Sequence, residues 1–131
     1  MIKGKNSMTE PASAEIYERG KTIFAQGEPG HFAYIVRKGK VAISCERDGV
    51  RTRIAARGPG ELIGEMALAS NARRSATAIA ETDCVLMAIH KSEIDSRLDA
   101  ADPILRLILL TAFERLREQA ARAGYFIPQR D

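Results

Sequence analysis

Glycine recurs throughout residues 14–90 and divides this stretch into apolar runs that are too short for ordinary helices. Residues 33–37 and 76–80 are β-prone runs of this kind, each bounded by turn-forming residues. Between two alternating runs, Asp48 and Gly49 form a two-residue sequence typical of a β-hairpin turn. Short strands about 8–12 residues apart, with glycine turns between them, predict a closed or sandwiched antiparallel architecture.

The alternation within these runs indicates which side chains face inward. Val41, Ile43 and Cys45 alternate with less apolar neighbours, so we expect these three side chains on the core face of one strand. Cys84 lies in a second apolar run. Cysteines in such positions are typical of buried free thiols in a reducing compartment rather than of a disulfide.

The pattern changes to a helical one after residue 90. Residues 92–98 can form two helical turns, and Asp102 followed by Pro103 predicts the start of a longer helix, because Asp caps helices and Pro is tolerated at the first position. Apolar residues then recur at steps of three and four from Ile104 to Leu116, and we expect this stripe to form core or dimer contacts. Gly124 predicts the end of the helix.

These patterns predict an α+β fold, an antiparallel β-roll of the jelly-roll type with two C-terminal helices. A polar tail at residues 1–13 precedes the roll at residues 14–90, and residues 91–131 supply the helices and a short tail. A chain of 131 residues fits one domain, so we expect the helices to belong to the same domain as the roll.

Composition excludes several functional classes. The formal net charge of +3 is weak evidence for a polyanionic partner, and 5% aromatic residues without Trp argue against a stacking platform for single-stranded nucleic acid. Two histidines, His31 and His90, are too few for a His-rich metal site. No motif pairs a nucleophile with a base, so we expect no enzyme activity.

The apolar stretches are also too short for a membrane span. The most apolar one, residues 104–113, is about half the necessary length and contains Arg106. The polar first residues do not resemble a signal peptide. We therefore expect a cytoplasmic protein.

The segment from residue 60 to residue 77 carries the chemistry. Gly64 lets the backbone approach a ligand closely, and a helical turn over residues 66–70 would offer unpaired amides to an anion. The Glu65 carboxylate accepts hydrogen bonds and so suits hydroxyl donors, whereas the Arg74 guanidinium can bind a phosphate through two parallel bonds, with the Ser75 hydroxyl beside it. Together they describe a ribose-phosphate ligand.

This segment resembles the phosphate-binding cassette of cyclic nucleotide-binding domains. The family pattern is an aromatic or aliphatic residue, Gly-Glu-x-Ala/Gly-Leu, a short gap and Arg-Ala/Ser/Thr-Ala-x, and residues 63–68 and 74–77 match it. The glycine-rich residues 23–30, followed by residues 34–36 and 39–41, also resemble the first hairpins of that family. The resemblance covers residues 15–120 and implies a β-roll with a short cassette helix.

The resemblance implies roles for individual residues. The implied ligand-binding set is Ile63, Gly64, Glu65, Met66, Ala67, Arg74, Ser75, Ala76 and Arg115. Glu65 would accept a hydrogen bond from the ribose 2′-hydroxyl, and Gly64 with the amides of Met66 and Ala67 would line the ribose-phosphate. Arg74 would pair with the cyclic phosphate, helped by the Ser75 hydroxyl and the Ala76 amide.

Other implied roles concern the base. Ile54 and Ile63 would face it, and the helix that starts at Asp102 would cover the pocket as a lid. Arg115 is either a base contact or a surface charge. Tyr125 and Phe126 either stack on the base or pack on the barrel.

One departure leaves the register of the cassette open. The family often carries Pro before the arginine, and here Arg73 stands in that place. Arg74 is favoured as the phosphate ligand because Ser75 and Ala76 follow it. The helix that usually precedes the roll is short or missing, since β-like sequence begins near Ala14.

The sequence therefore predicts a sensor that binds a 3′,5′-cyclic nucleotide, with cAMP favoured over cGMP, and that needs no metal or other cofactor. Its long helix would signal to an unknown effector protein or mediate a homodimer. Because only a few residues follow Gly124, we expect no DNA-binding element within this sequence. The alternative is a non-catalytic interaction module that has lost nucleotide binding or senses another small anion.

Overall fold

The computed structural model describes residues 13–65 and 73–122, which form eight β-strands and two α-helices. The strands are β1 (Ser13–Tyr17), β2 (Thr22–Phe24), β3 (Phe32–Lys38), β4 (Val41–Arg47), β5 (Val50–Arg57), β6 (Leu62–Ile63), β7 (Thr77–Ala80) and β8 (Cys84–His90). The helices are α1 (Lys91–Ala100) and α2 (Pro103–Arg122). The expected tail ends within β1, since that strand begins at Ser13.

The strands form two four-stranded sheets, ordered β1-β8-β3-β6 and β2-β7-β4-β5. Every strand pair is antiparallel, which confirms the predicted α+β β-roll. The core contains side chains from both sheets, with Val36 and Leu86 on one side and Val41 on the other. Cys45 and Cys84 are buried and free, as predicted.

The predicted inward face of β4 is confirmed, with one buried residue added to it. Val41 and Cys45 are buried, and the half-buried Ile43 packs against the core, but Ser44 is buried too. Ser44 lies at a β-bulge, because Ile43 pairs with Ala55 and Ser44 with Arg53, which leaves one extra residue on β5. A bulge depends on the partner strand, so periodicity within one strand did not predict it.

The turn from β3 to β4 packs tightly against the turn from β7 to β8. The Glu81 amide donates to the Lys40 carbonyl at 2.8 Å, and the Lys40 amide donates to Thr82 Oγ1 at 3.0 Å. Between these turns Gly39 has a φ of +93°, in the left-handed region. The two sheets are thus joined at a point where the backbones almost touch.

The helices begin where capping side chains predict. Asp102 Oδ1 accepts a hydrogen bond from the Ile104 amide at 2.8 Å, which confirms it as the cap of α2. His90 caps α1, because its Nδ1 accepts from the Ser92 amide at 3.0 Å. Neither helix in the described part of the chain is long and apolar enough to cross a membrane.

The apolar stripe of α2 does not form core, contrary to one of the two expectations. Ile104, Leu105 and Ile108 are all more than half exposed, and Leu116 is exposed as well. The side of α2 that is shielded carries Phe113 and Arg117. Helical spacing showed that a stripe exists, but only packing shows that nothing in the described chain covers it.

Candidate ligand-binding site

The backbone around Arg74 is fixed by the loop that follows β2. The Arg74 amide donates to the Glu28 carbonyl at 2.8 Å, and the Gly27 amide donates to the Arg74 carbonyl at 2.9 Å. Gln26 extends this pairing, since its amide donates to Thr77 Oγ1 at 2.9 Å. Residues 26–28 therefore hold Arg74 and the first residue of β7 in place.

The Arg74 side chain is buried, with only 5% of the residue exposed. Its Nη2 donates to the Phe32 carbonyl at 2.7 Å, and its Cζ lies 4.0 Å from the centroid of the Phe24 ring. Nε and Nη1 have no hydrogen-bond partner among the described residues. Buried polar groups are normally paired, so these donors mark a place where an acceptor is expected.

Burial also determines the electrostatics of this arginine. It lowers the pKa of Arg74, while Tyr34 and Glu28 act in the opposite direction. A guanidinium nevertheless keeps its proton at any physiological pH. The site therefore holds a permanent positive charge that water reaches poorly, which favours an anion with several acceptor oxygens.

Gly64 is packed against this guanidinium. Its φ is +76°, and a Cβ atom at this position would lie 2.7 Å from Arg74 Nη1 and 3.2 Å from the Phe32 carbonyl oxygen. Glycine is therefore required both by the backbone conformation and by the space that Arg74 occupies. The structure shows that Gly64 makes room for the arginine, and the close approach of a ligand at Gly64 stays a prediction.

The same contact brings the two parts of the cassette together. Ile63 is buried in β6 and pairs with Tyr34 of β3, and Glu65 follows Gly64 as a half-buried residue. The segment that carries the Glu65 carboxylate is therefore adjacent to the Arg74 guanidinium. Gly64, which precedes Glu65, thus lies against the guanidinium that follows the gap in the cassette.

Arg73 occupies a different environment from Arg74. Arg73 is exposed, and its Nη1 donates to the Gly27 carbonyl at 3.1 Å. The Arg74 guanidinium is the one that is buried and has donors without a partner among the described residues. The geometry thus favours the register that places Arg74 at the anion.

The remaining predicted site residues lie in three places. Ser75 and Ala76 are half-buried directly after Arg74. Met66 and Ala67, together with the cassette helix, lie outside the described residues, as do Tyr125, Phe126 and the expected helix end at Gly124. Arg115 is exposed on α2, where it lines an open pocket with Leu107, Ile108, Thr111 and Ala112. Ile54 is half-buried on β5.

Two aromatic residues near the arginine were not predicted as part of the site. Phe24 lies beneath the Arg74 guanidinium and stacks on Tyr34 with 6.1 Å between ring centroids. Burial foremost raises the pKa of Tyr34, and it raises that of Tyr17, whose hydroxyl donates to Glu15 Oε1 at 2.7 Å. No sequence signal distinguished Phe24 from an ordinary core residue, because its role depends on β2 lying beside residue 74.

The family model for the cyclic nucleotide-binding domain matches residues 14–100. This stretch contains both sheets, the cassette and α1. The chain therefore belongs to the cyclic nucleotide-binding domain family.

Relatives with known names agree with this assignment. The chain is 36% identical over 104 residues to the cyclic AMP receptor protein of Thermus thermophilus, covering 79% of this chain and 48% of that protein. It is 40% identical over 86 residues to the cAMP-dependent protein kinase regulatory subunit of Eremothecium gossypii, covering 66% of this chain and 17% of that protein. The chain thus spans about half or less of the length of these relatives.

Solved structures share the fold. The cAMP-bound form of the EAL enzyme Bd1971 superposes with a TM-score of 0.75 at 32% identity, covering 85% of this chain and 30% of that one. The cGMP-bound form of the same enzyme gives a TM-score of 0.76 at the same identity and coverage. The catabolite activator protein of Thermus thermophilus gives 0.66 at 34% identity, covering 86% of this chain and 53% of that one.

Proposed function

We propose that this chain is a regulatory module that binds a 3′,5′-cyclic nucleotide and prefers cAMP to cGMP. The observation that carries the proposal is the buried Arg74 guanidinium, which lies against Gly64 and whose Nε and Nη1 donors lack described partners. A cyclic phosphate offers acceptors to those donors, and a ribose hydroxyl suits the Glu65 carboxylate. The preference for cAMP is supported by the names of the relatives.

We further propose that the protein binds its ligand without converting it and that it is cytoplasmic. The two free buried thiols, Cys45 and Cys84, fit a reducing compartment. Since the site residues are a guanidinium, a carboxylate and backbone groups, we expect bound cAMP to be released unchanged. Chromatography of the nucleotide after prolonged incubation with the protein tests this, and the appearance of AMP would contradict it.

Calorimetric titration with cAMP, cGMP and linear AMP tests the binding itself. We expect saturable binding of cAMP, weaker binding of cGMP and much weaker binding of AMP, whose phosphate carries more charge and has no ring. A ligand at 100 times its dissociation constant adds about 2.7 kcal/mol to the free energy of unfolding, so thermal unfolding provides an independent readout. No shift with either cyclic nucleotide would favour the alternative, an interaction module without nucleotide binding.

Signalling is proposed to involve α2. The helix has exposed apolar residues along most of its described length and contacts the body of the domain through few side chains, so little packing energy holds it in one pose. A ligand shifts such an equilibrium only by the difference between its affinities for the two poses. The effector is proposed to be a separate protein or domain.

A second copy of the chain is the proposed partner of the exposed face of α2. Leu105, Leu109, Ala112 and Leu116 follow one another at steps of four, three and four, the spacing of a coiled-coil seam, and all four are exposed. We expect the parent protein to sediment as a dimer and Leu109→Glu to sediment as a monomer that still binds cAMP. Leu107→Glu, on the opposite side of the helix, is the control and should remain dimeric. A monomeric parent would overturn this part of the proposal.

A further inference from the structure

We propose that Phe24 is a positioning residue for the phosphate ligand, in that its ring face fixes the orientation of the Arg74 guanidinium. The inference rests on the proposed function, because it assigns Arg74 to the anion. It goes beyond that function by naming a residue outside the cassette that affects how tightly Arg74 binds the phosphate. Three observations carry it.

The first observation is the geometry of the contact. Arg74 Cζ lies 4.0 Å from the centroid of the Phe24 ring, and both residues are buried. A cation at this distance over a ring face is attracted by the negative charge density of that face, and the attraction is stronger where water is excluded. The contact between Phe24 and Arg74 is therefore a cation–π interaction in addition to ordinary core packing.

The second observation is that Arg74 has a ring face, and no ion-paired carboxylate, beside it in the described part of the chain. No carboxylate among the described residues forms an ion pair with Arg74, although five other pairs are present in that part of the chain. A carboxylate would orient the guanidinium but would also occupy its N–H groups and neutralise its charge. A ring face holds the plane of the cation and leaves its in-plane donors free for an incoming phosphate.

The third observation is that Phe24 and Arg74 are held from several directions. Phe24 stacks on Tyr34 at 6.1 Å and pairs with Ala78 of β7 through its backbone. Arg74 Nη2 donates to the Phe32 carbonyl, and Gly64 contacts the Nη1 side of the guanidinium without a Cβ atom that would collide with it. Because Nη2 is bonded to the Phe32 carbonyl and one face of the guanidinium lies on the Phe24 ring, the plane of the guanidinium is fixed. Nε and Nη1 lie in this plane without a described acceptor.

The first arm of the test needs no ligand. In the ¹H–¹⁵N spectrum of the arginine side chains, we expect the Arg74 Nε–H resonance, assigned by its loss in Arg74→Lys, to be shifted upfield by the ring current of Phe24. The shift should disappear in Phe24→Leu and persist in Phe24→Tyr. An Arg74 resonance that is unchanged in Phe24→Leu would overturn the proposal.

The second arm measures cAMP affinity in the same variants. We expect Phe24→Leu to weaken binding by about five- to thirtyfold and Phe24→Tyr to change it by less than about threefold. Leu86→Ala is the control for a loosened core, since Leu86 is fully buried and lies on β8; it should lower the unfolding temperature and leave affinity within about threefold. An affinity loss in Leu86→Ala equal to that in Phe24→Leu would mean that Phe24 acts only as core.

Two further results can be interpreted: a Phe24→Leu variant that does not fold, and a parent protein that binds no cyclic nucleotide. If Phe24→Leu does not fold, pentafluorophenylalanine incorporated at position 24 keeps the shape of the ring while reversing the charge of its face, and the same loss of affinity is expected; an unchanged affinity would contradict the proposal. If the parent protein shows the ring-current shift but binds no cyclic nucleotide, the proposed function fails while the contact between ring and guanidinium stands.

Discussion

Replacing Arg74 with alanine is expected to weaken cAMP binding at least about tenfold and up to about a hundredfold or more. A hydrogen bond between a charged donor and a phosphate contributes roughly 1.5–3 kcal/mol, and each 1.4 kcal/mol corresponds to a factor of ten in affinity. In this variant the bound phosphate would lose both the Nε and the Nη1 donor of Arg74 at once. Calorimetric titration of the folded variant measures the loss directly.

The stability of the same variant should respond differently from its affinity. Alanine removes a buried cation whose Nε and Nη1 lack described partners, and it also removes packing on Phe24. These effects oppose each other, because burying an unpaired charge is unfavourable while filling space is favourable. We therefore expect the free energy of unfolding without ligand to change by about 1 kcal/mol or less.

Arg73→Ala is the matched control for this experiment. The two arginines are neighbours in sequence, but Arg73 is exposed and donates to the Gly27 carbonyl. Its removal should reduce cAMP affinity by less than about threefold, the effect of a solvent-screened surface charge. A large loss in Arg73→Ala together with parental affinity in Arg74→Ala would move the cassette by one residue and overturn the assignment of the site.

Gly39→Ala is expected to lower the free energy of unfolding by about 3 kcal/mol or more. A Cβ atom at Gly39 would collide with the Asp83 carbonyl oxygen and lie 2.8 Å from Cys84 Sγ. Left-handed strain on a residue other than glycine costs about 1–3 kcal/mol, and overpacking adds a similar amount. The colliding oxygen belongs to the backbone, which cannot move without separating the two turns. Urea unfolding followed by circular dichroism gives the difference.

Gly20→Ala separates backbone strain from collision. Gly20 has a φ of +90°, close to the +93° of Gly39, and no atom lies within 4 Å of a Cβ built there. We expect a loss of about 1 kcal/mol for this variant, the strain alone. Equal losses in the two variants would show that the contact between the β3–β4 and β7–β8 turns is looser than the structure indicates.

Much of the site was predictable because the cassette is contiguous. Gly64, Glu65 and Arg74 were identified from residue chemistry, spacing and resemblance, and the structure places Arg74 against Gly64. Arg74 was favoured over Arg73 because Ser75 and Ala76 follow it, and the burial of Arg74 beside an exposed Arg73 agrees with that choice. Phe24 escaped prediction because it is brought to Arg74 by the pairing of β2 with β7.

The sequence by itself determined the features that depend on neighbouring residues: the strand and turn pattern, the Asp48–Gly49 hairpin and the cap at Asp102. Turn conformations and helix caps are local, so a few adjacent side chains are enough to specify them. Only the tertiary structure decided that Ser44 is buried beside a bulge, that the stripe of α2 is exposed, and that a phenylalanine ring lies under Arg74. These features depend on the register between strands and helices far apart in the chain, and no local pattern encodes that register.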